Sequence, residues 1–300
     1  MLDENLITFQ VEDYIAYKRS LGYKIKAESQ ELRRFAAYTR SIGYTGSLRV
    51  DIAMAWASLN WSLSRWYMSR RLETIHTFAI YVSAFDPNAQ IPSTGVFGKC
   101  HGRIEPYIYT ESELQQLMIE AQSLDSPDKI RKYTVSTALG LLWATGIRVS
   151  ELTSLTLRDV CFEEGYLYIC NSKFKKNRLV PLDLSAVTKL KEYSLFLDGK
   201  IPHRREIDYF FVTSYGKRFS TRSFEYAFQL IRPCLLKGGR ANWERRAPRL
   251  YDIRHTFACR TIQRWLEEGV DVNHRIYQLS TYMGHVKRRI HTGIFLQLPN

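Results

Sequence analysis

The sequence predicts a mainly α-helical protein with a small β-sheet, in which a helical N-terminal domain precedes a mixed α/β domain. Three observations predict this fold class. Apolar residues recur at helical spacing along most of the chain, whereas runs typical of strands occur mainly between residues 166 and 182. Residues 86–103 contain several prolines and glycines and few periodic apolar positions, as linkers do. We therefore predict domains at residues 1–88 and 106–300, joined by residues 89–105.

The N-terminal domain is predicted to be a small helical bundle. Four segments carry apolar residues at helical spacing, namely residues 9–21, 32–38, 53–59 and 75–85. Basic residues are interleaved with these apolar positions: Lys18, Arg19, Lys24, Lys26, Arg33, Arg34, Arg65, Arg70 and Arg71. This pattern is typical either of solvated helix faces or of a surface that grips a polyanion. The second half of the chain favours the latter interpretation.

The C-terminal domain is predicted to begin with a helix whose capping box pairs Thr110 with Glu113. A strongly apolar helix follows at residues 133–145, and Gly146 is predicted to end it. The other predicted elements are a helical stretch at 149–155, strands at 166–170 and 179–182, a candidate third strand at 209–213, and helices from residue 223 onward, which a basic loop at 237–249 interrupts.

Composition narrows the class of protein. The chain has 300 residues and a formal net charge of +13, with most of the excess after residue 105, which indicates a polyanionic partner such as nucleic acid. No apolar run is long enough for a membrane span, and the acidic N-terminus is unlike a signal peptide, so we expect a cytoplasmic protein. Its five scattered cysteines include no CxxC pair, which predicts neither a disulfide framework nor a zinc site.

Four separated polar residues carry the chemistry. They are Arg148 in ATGIRVSEL, Lys173 in SKFKKNRLVPL, Arg254 in YDIRHTFA and His285 in YMGH. Breaking a phosphodiester requires a nucleophile, a proton for the leaving oxygen and fixed positive charge around the phosphoryl oxygens. Two arginines suit the last task because each guanidinium donates two parallel hydrogen bonds and stays protonated. The four residues therefore predict a site that holds one phosphate.

These motifs, in this order and spacing, resemble the catalytic domain of the tyrosine recombinases of the phage-integrase type over residues 106–300. The helical N-terminal part resembles the core-binding domain of that family, so the resemblance covers nearly the whole chain. It implies a site-specific recombinase that cleaves and rejoins duplex DNA through a 3′-phosphotyrosine link, without cofactor or metal. It also implies a dimer on one double-stranded recombination site, a tetramer on two sites, accessory proteins, and a bacterial, nucleoid-associated location.

The resemblance also implies roles for individual residues. Arg148 and Arg254 would be the phosphate clamp, and Lys173 the general acid, since it lies five positions before the arginine of RLVPL, where the hairpin lysine of the family stands. Glu151 matches the acidic residue that orients this part of the site, and His285 matches the second histidine position.

Two positions depart from the family pattern. Tyr251 stands three residues before Arg254, where the family usually has histidine; a phenol can contact a phosphate but cannot become a cation. The nucleophilic tyrosine is also replaced. Its usual position, nine residues after His285, is Ile294 here, and Phe295 is one residue further, so we take Phe295 as the nucleophile position with a one-residue expansion. The chain as written is therefore expected to bind DNA without cleaving it.

Three functions stay open at this point. A cleavage-deficient Tyr-to-Phe variant of a recombinase is the leading hypothesis, a naturally inactive DNA-binding accessory protein is the alternative, and a DNA-relaxing topoisomerase-like enzyme is the third. Basic residues that are candidate DNA contacts in the second domain are Lys175, Lys176, Arg218, Arg222, Arg245, Arg246, Lys287 and Arg288.

Overall fold

The structure is a computed structural model, and it describes residues 5–59, 64–98, 106–170, 177–237 and 247–284. The chain divides into two compact units, residues 1–104 and residues 105–300. No helix within the described ranges is both long and apolar enough to span a lipid bilayer. The predicted fold class, mainly helical with one small sheet, is confirmed.

The described N-terminal unit has four helices: α1 (Leu6–Ser20), α2 (Lys26–Ser41), α3 (Val50–Ala57) and α4 (Arg65–Val82). Asn5 and Ser64 begin α1 and α4, since each side-chain oxygen accepts a hydrogen bond from a backbone N–H of the first turn. The core of the unit includes Phe35, Trp56 and Phe78, all nearly inaccessible to solvent. Helix α4 starts ten residues before the predicted segment, because polar residues are interleaved with its buried face.

Several basic residues of the N-terminal unit are paired with acids. Arg33 donates to both carboxylate oxygens of Glu12 at 2.7 and 2.8 Å, and Arg34 donates to Glu31. Arg71 lies 3.4 Å from the same Glu31 carboxylate, and its guanidinium stacks 3.9 Å from the centroid of the Trp56 ring. Arg71 therefore has a packing role, and a DNA-binding role for the remaining basic residues stays a prediction.

The first part of the predicted linker packs against the N-terminal bundle. Gln90 N–H donates to the Leu48 carbonyl at 2.8 Å, the Ser69 hydroxyl donates to the Gly98 carbonyl at 2.7 Å, and the His76 ring contacts the Pro92 carbonyl at 2.8 Å. Residues 89–98 are thus part of the N-terminal unit, and residues 99–105 lie outside the described ranges.

The described C-terminal unit contains eight helices: α5 (Glu111–Glu120), α6 (Ile130–Thr145), α7 (Val149–Leu152), α8 (Leu184–Asp198), α9 (Thr221–Ile231), α10 (Cys234–Lys237), α11 (Leu250–Glu267) and α12 (Val272–Tyr282). The predicted capping box at the start of α5 is confirmed, since Thr110 and Glu113 exchange side-chain to backbone hydrogen bonds. Eight of the 16 residues of α6 are buried, and most of these belong to the apolar core of the unit, as the composition of the helix predicts.

The three strands form one antiparallel sheet in the order β1 (Val160–Cys161), β2 (Tyr166–Ile169) and β3 (Arg178–Pro181). Leu167 pairs with Val160 on one side and Val180 on the other, and these three side chains anchor the sheet in the core. Two residues are too few for an alternating pattern, so β1 was not predicted.

The prediction of a third strand at 209–213 was wrong. This segment makes only the isolated bridges Thr156 to Tyr209 and Val212 to Arg218 in the described chain, and it lies outside the sheet. Phe210 and Phe211 are both buried. The apolar run therefore reflects packing of an irregular segment into the core rather than strand pairing.

Gly146 ends α6, as predicted, in a conformation that favours glycine. Its φ is +59°, and a Cβ at this position would lie 2.5 Å from the Cδ1 atom of Phe257 on α11. At this close approach of α6 and α11, the Gly146 carbonyl also accepts a hydrogen bond from Arg254 of α11. Gly146 thus sets the position of the residues that follow it.

We expect Gly146→Ala to lower the free energy of unfolding by roughly 2–4 kcal/mol, from left-handed strain plus overpacking against Phe257. Thermal and urea unfolding followed by circular dichroism would measure the loss. Gly199→Ala is the control, because Gly199 has a φ of −72° and its nearest would-be Cβ contact is 3.6 Å away. Equal effects of the two substitutions would contradict the packing argument.

Candidate functional site

Arg148 and Arg254 come from different parts of the chain and donate hydrogen bonds to two successive backbone carbonyls. Arg148, immediately before α7, donates through Nη2 to the Gly284 carbonyl at 2.9 Å. Arg254, in the second turn of α11, donates through Nη1 to the Gly146 carbonyl at 2.7 Å and through Nη2 to the Met283 carbonyl. The two guanidinium groups predicted to act together are therefore brought to one place.

Arg254 is a buried cation, with only 4% of its surface exposed. Burial lowers the pKa of its guanidinium to about 10, and the nearby charge of Arg148 acts in the same direction. Even so, Arg254 stays protonated at neutral pH. The carbonyl acceptors at Gly146 and Met283 are neutral, so these hydrogen bonds fix the guanidinium without neutralising its charge. A fixed, poorly solvated cation of this kind is suited to binding an anion.

Glu151 orients Arg148. The Glu151 carboxylate accepts hydrogen bonds from the backbone N–H of Arg148 at 2.9 Å and from its Nη1 at 2.7 Å. It also accepts two hydrogen bonds from Arg178, with Nη1 at 3.0 Å and Nη2 at 2.8 Å. Burial alone would raise the pKa of Glu151, but the hydrogen bonds from Arg178 and Arg148 outweigh it and lower the pKa to about 2. The carboxylate is therefore ionised at neutral pH.

Arg178 is a member of the site that sequence reasoning missed, since it served only as a reference point for locating the hairpin lysine. It is the first residue of β3 and lies two positions before the buried Val180, so both side chains lie on the same face of the strand. That spacing was the available signal. Its pairing with Glu151 joins residues 27 positions apart, which no local pattern reveals.

Gly284 closes the site from the end of α12. Its φ is +64°, and a Cβ there would lie 3.3 Å from Nη1 of Arg178 and 3.4 Å from Nη1 of Arg148. The Tyr282 hydroxyl donates to the Thr145 carbonyl at 2.9 Å, which attaches the end of α12 to the end of α6. The next residue along the chain is His285, which lies outside the described residues.

Tyr251 lies one turn before Arg254 on α11, and 48% of its surface is exposed. The Tyr251 and His255 rings meet edge to face, with centroids 5.1 Å apart. Burial lowers the pKa of His255, which favours its neutral form. Tyr251 is thus the exposed member of this face, while His255 packs partly buried beside it.

The other predicted site residues divide into two groups. Arg218 and Arg222 are exposed, and Arg218 donates to the Thr153 carbonyl at 3.3 Å and to the Ser154 hydroxyl at 3.1 Å, just after α7. The remaining predicted residues lie outside the described ranges: Lys173, Lys175, Lys176, Arg245, Arg246, His285, Lys287, Arg288 and Phe295. In the part of the chain that the structure describes, no group of three or more His, Cys, Asp or Glu could hold a metal ion.

The depressed pKa of Glu151 predicts a pH dependence of stability. Its ionised form stabilises the fold fully above about pH 4.5, and the contribution is lost as the pH falls towards about 2. We expect roughly 3 kcal/mol from this group. Glu151→Gln should therefore flatten the fall in unfolding free energy between about pH 5 and pH 2, measured by urea unfolding at a series of pH values.

The matched control is Glu12→Gln, which removes a carboxylate that is also bound by an arginine fork. The Glu12 side chain is half exposed, so solvent screens its ion pair with Arg33, and Glu12→Gln should change the acid profile less than Glu151→Gln. A Glu151→Gln acid profile that matched the unsubstituted chain would refute the role given to this carboxylate.

The chain is similar to known integrases and recombinases. The family model described as the phage integrase family matches residues 108–292. The integrase/recombinase named y4rB of Sinorhizobium fredii (strain NBRC 101917 / NGR234) is 32% identical over 279 residues, which cover 92% of this chain and 88% of that protein. The tyrosine recombinase XerC of Chlamydia muridarum (strain MoPn / Nigg) is 31% identical over 235 residues, covering 74% of this chain and 69% of XerC.

Solved structures share the fold. A tyrosine-to-phenylalanine variant of the Tn1549 transposon integrase, in complex with transposon right-end DNA, matches with a TM-score of 0.65 at 15% identity, over 97% of this chain and 95% of that one. A lambda integrase dimer bound to a core site matches with a TM-score of 0.62 at 15% identity, over 93% of this chain and 95% of that one.

Proposed function

This chain belongs to the phage integrase family, the family of tyrosine recombinases, and we propose that it is a site-specific DNA recombinase whose active site binds a single scissile phosphate. The observation that carries the proposal is the convergence of Arg148 and Arg254 on the successive carbonyls of Met283 and Gly284. The scissile phosphate binds between the two guanidinium groups, beside the residue that follows Gly284.

Each group at the site has one task. Arg148 and Arg254 hold the non-bridging oxygens and stabilise the negative charge that builds on them as the bond breaks. Lys173 gives a proton to the departing 5′ oxygen, and His285 donates a hydrogen bond to the same phosphate. Tyr251 contacts the phosphate through its hydroxyl rather than acting as a cationic acid. Glu151 keeps the Arg148 guanidinium oriented.

The nucleophile position is Phe295 in this chain. A phenylalanine has nearly the shape of tyrosine but lacks the oxygen that would attack phosphorus and form the 3′-phosphotyrosine link. The chain therefore binds the recombination site without cleaving it. The Tn1549 integrase neighbour, a tyrosine-to-phenylalanine variant with bound DNA, is an example of this combination.

Assembly follows from the reaction. Two duplex sites with two cleavage positions each require four protomers, so we propose a dimer on one site and a tetramer on two. The lambda integrase neighbour is a dimer on a core site, which supports the first step. The charge of +13 supports binding along the DNA backbone, with Arg218 and Arg222 among the contacts, and accessory proteins would select the partner sites.

The second candidate function is a DNA-binding accessory protein without cleavage activity. The observation that favours it is Phe295 itself, which removes the attacking oxygen. Restoring a hydroxyl at this position separates the two functions, because only a recombinase would then form a covalent link to DNA.

The proposed phosphate clamp can be tested in the chain as it exists. Sites would first be selected from random duplex DNA, and each phosphate of the selected site would then be replaced by a neutral methylphosphonate. We expect one position on each strand where the replacement weakens binding by about 10-fold or more, since charge-assisted hydrogen bonds are lost. Arg148→Ala and Arg254→Ala should abolish this position-specific loss. A uniform, small effect at every phosphate would contradict the proposal.

A further inference from the structure

We propose that Arg178 is a positioning residue of this site, which keeps Glu151 from withdrawing Arg148 from the DNA phosphate. The inference rests on the proposed function, because it concerns how the same phosphate clamp is kept available. It depends on how the hydrogen-bonding capacity of one carboxylate is divided between two arginines.

The Glu151 carboxylate is fully used. An ionised carboxylate offers about four lone-pair sites, two on each oxygen. Oε1 accepts from Nη1 of Arg148 and Nη1 of Arg178, and Oε2 accepts from the backbone N–H of Arg148 and Nη2 of Arg178. Arg178 thus occupies half of the capacity with a two-pronged contact, while the Arg148 side chain makes a single hydrogen bond.

This division of the carboxylate leaves the Arg148 guanidinium partly available for the DNA phosphate. Its Nη1 contacts Glu151 and its Nη2 donates to the Gly284 carbonyl, which is a weaker acceptor than a carboxylate. Without Arg178, the Glu151 carboxylate would have two open lone-pair sites beside the Arg148 guanidinium. A two-pronged Arg148–Glu151 pair would then compete with the DNA phosphate for the same N–H groups.

The loss of Arg178 would also lower the net positive charge of the site. Arg148, Arg178 and Arg254 contribute three positive charges, and Glu151 contributes one negative charge within the described site. The burial of Glu151 and Arg178, with 5% and 13% of their side chains exposed, keeps solvent from screening the pair. Removing Arg178 would halve the net positive charge that a phosphate meets.

Arg178 also lies close, in space or in sequence, to two other segments that contain predicted site residues. A Cβ on Gly284 would come within 3.3 Å of its Nη1, so the turn before His285 packs directly on Arg178. Arg178 begins β3, shortly after the stretch of sequence that contains Lys173. One side chain therefore contacts the residue that orients Arg148 and the turn that leads to His285.

The test uses the chain with Phe295 in place and the methylphosphonate scan. The readout is the ratio of the Kd for DNA with a methylphosphonate at the sensitive position to the Kd for unmodified DNA. The parent ratio of about 10 or more should fall to about 3 or less in Arg178→Ala. The double variant Arg178→Ala/Glu151→Gln should recover a ratio clearly above that of Arg178→Ala, because a neutral amide competes less for Arg148, although it also orients Arg148 less firmly than the carboxylate does.

Two further variants serve as controls. Arg33→Ala removes a comparable arginine fork to Glu12 in the N-terminal unit and should leave the ratio unchanged. Arg178→Lys keeps the charge but loses the fork, and we expect an intermediate ratio. If Arg178→Ala does not fold, by circular dichroism, Arg178→Lys and Arg178→Lys/Glu151→Gln are compared by the same criterion.

The outcomes distinguish this inference from the function it rests on. A parent chain with no sensitive phosphate would overturn the clamp and this inference with it. A sensitive phosphate whose ratio is unchanged by substitution of Arg178 would overturn the positioning role alone. So would a double variant as impaired as the single one, because relief of competition by Glu151 is the stated cause.

Discussion

Phe295→Tyr is expected to form a covalent protein–DNA product that the chain as written does not form. The substitution adds one hydroxyl to a site whose described part already holds two arginines together. Enzymes commonly accelerate such reactions by factors above about 10⁶, so even a small share of that acceleration would give a product on a measurable time scale. The assay uses a selected site with a nick beside the sensitive phosphate, so that the released fragment diffuses away and the 3′-phosphotyrosine link accumulates.

The product would be measured as a band of reduced mobility in a denaturing gel, and peptide mapping should place the DNA on residue 295. Phe295→Leu is the control, since it changes the same position without adding an oxygen. An inert Phe295→Tyr chain that still binds the selected site would favour the accessory DNA-binding protein over the recombinase. A single site cleaved and relaxed by a monomer would instead favour the topoisomerase-like enzyme.

Arg254→Ala in the Phe295→Tyr background is expected to reduce the rate of covalent link formation by about 10³-fold, or roughly 4 kcal/mol of transition-state stabilisation. The reason is that a buried guanidinium held by two backbone carbonyls cannot be replaced by water at the same position. Single-turnover cleavage with saturating protein would separate this effect from weaker DNA binding.

Arg264→Ala on the same helix is the matched control, because the Arg264 side chain is 67% exposed and pairs only loosely with Glu268 at 3.9 Å. It should leave the rate within about 2-fold. Arg254→Lys tests whether charge alone is enough, and we expect it to stay far below the parent rate because the fork is lost. A loss of less than about 10-fold in Arg254→Ala would exclude a direct role in the transition state.

The elements with strong local patterns were predictable from the sequence. Apolar periodicity located α5 and α6, the capping box located the start of α5, and the glycine after a long apolar helix located the end of α6. The segment at 209–213 was mistaken for a strand because burial of Phe210 and Phe211 gives the same apolar run as a buried strand.

The site was only partly predictable, for a physical reason. Arg148 and Glu151 are three residues apart across the start of α7, so their pairing follows from helix geometry. Arg178 reaches the same carboxylate from a strand, and the carbonyls of Met283 and Gly284 reach the arginines from the end of α12. Contacts of this kind depend on how distant elements pack, which periodicity does not encode.

The paired carbonyls of Met283 and Gly284 have a consequence for how the site switches on. Arg254 donates to the first carbonyl and Arg148 to the second, and the two successive peptide units meet at Gly284, so a displacement of the Gly284 backbone alters both guanidinium groups at once. Half-assembled intermediates, with one arginine aligned and the other not, would therefore be rare. Any event that shifts the backbone at this point would therefore change the ability of both arginines to bind the phosphate together, in an all-or-none manner.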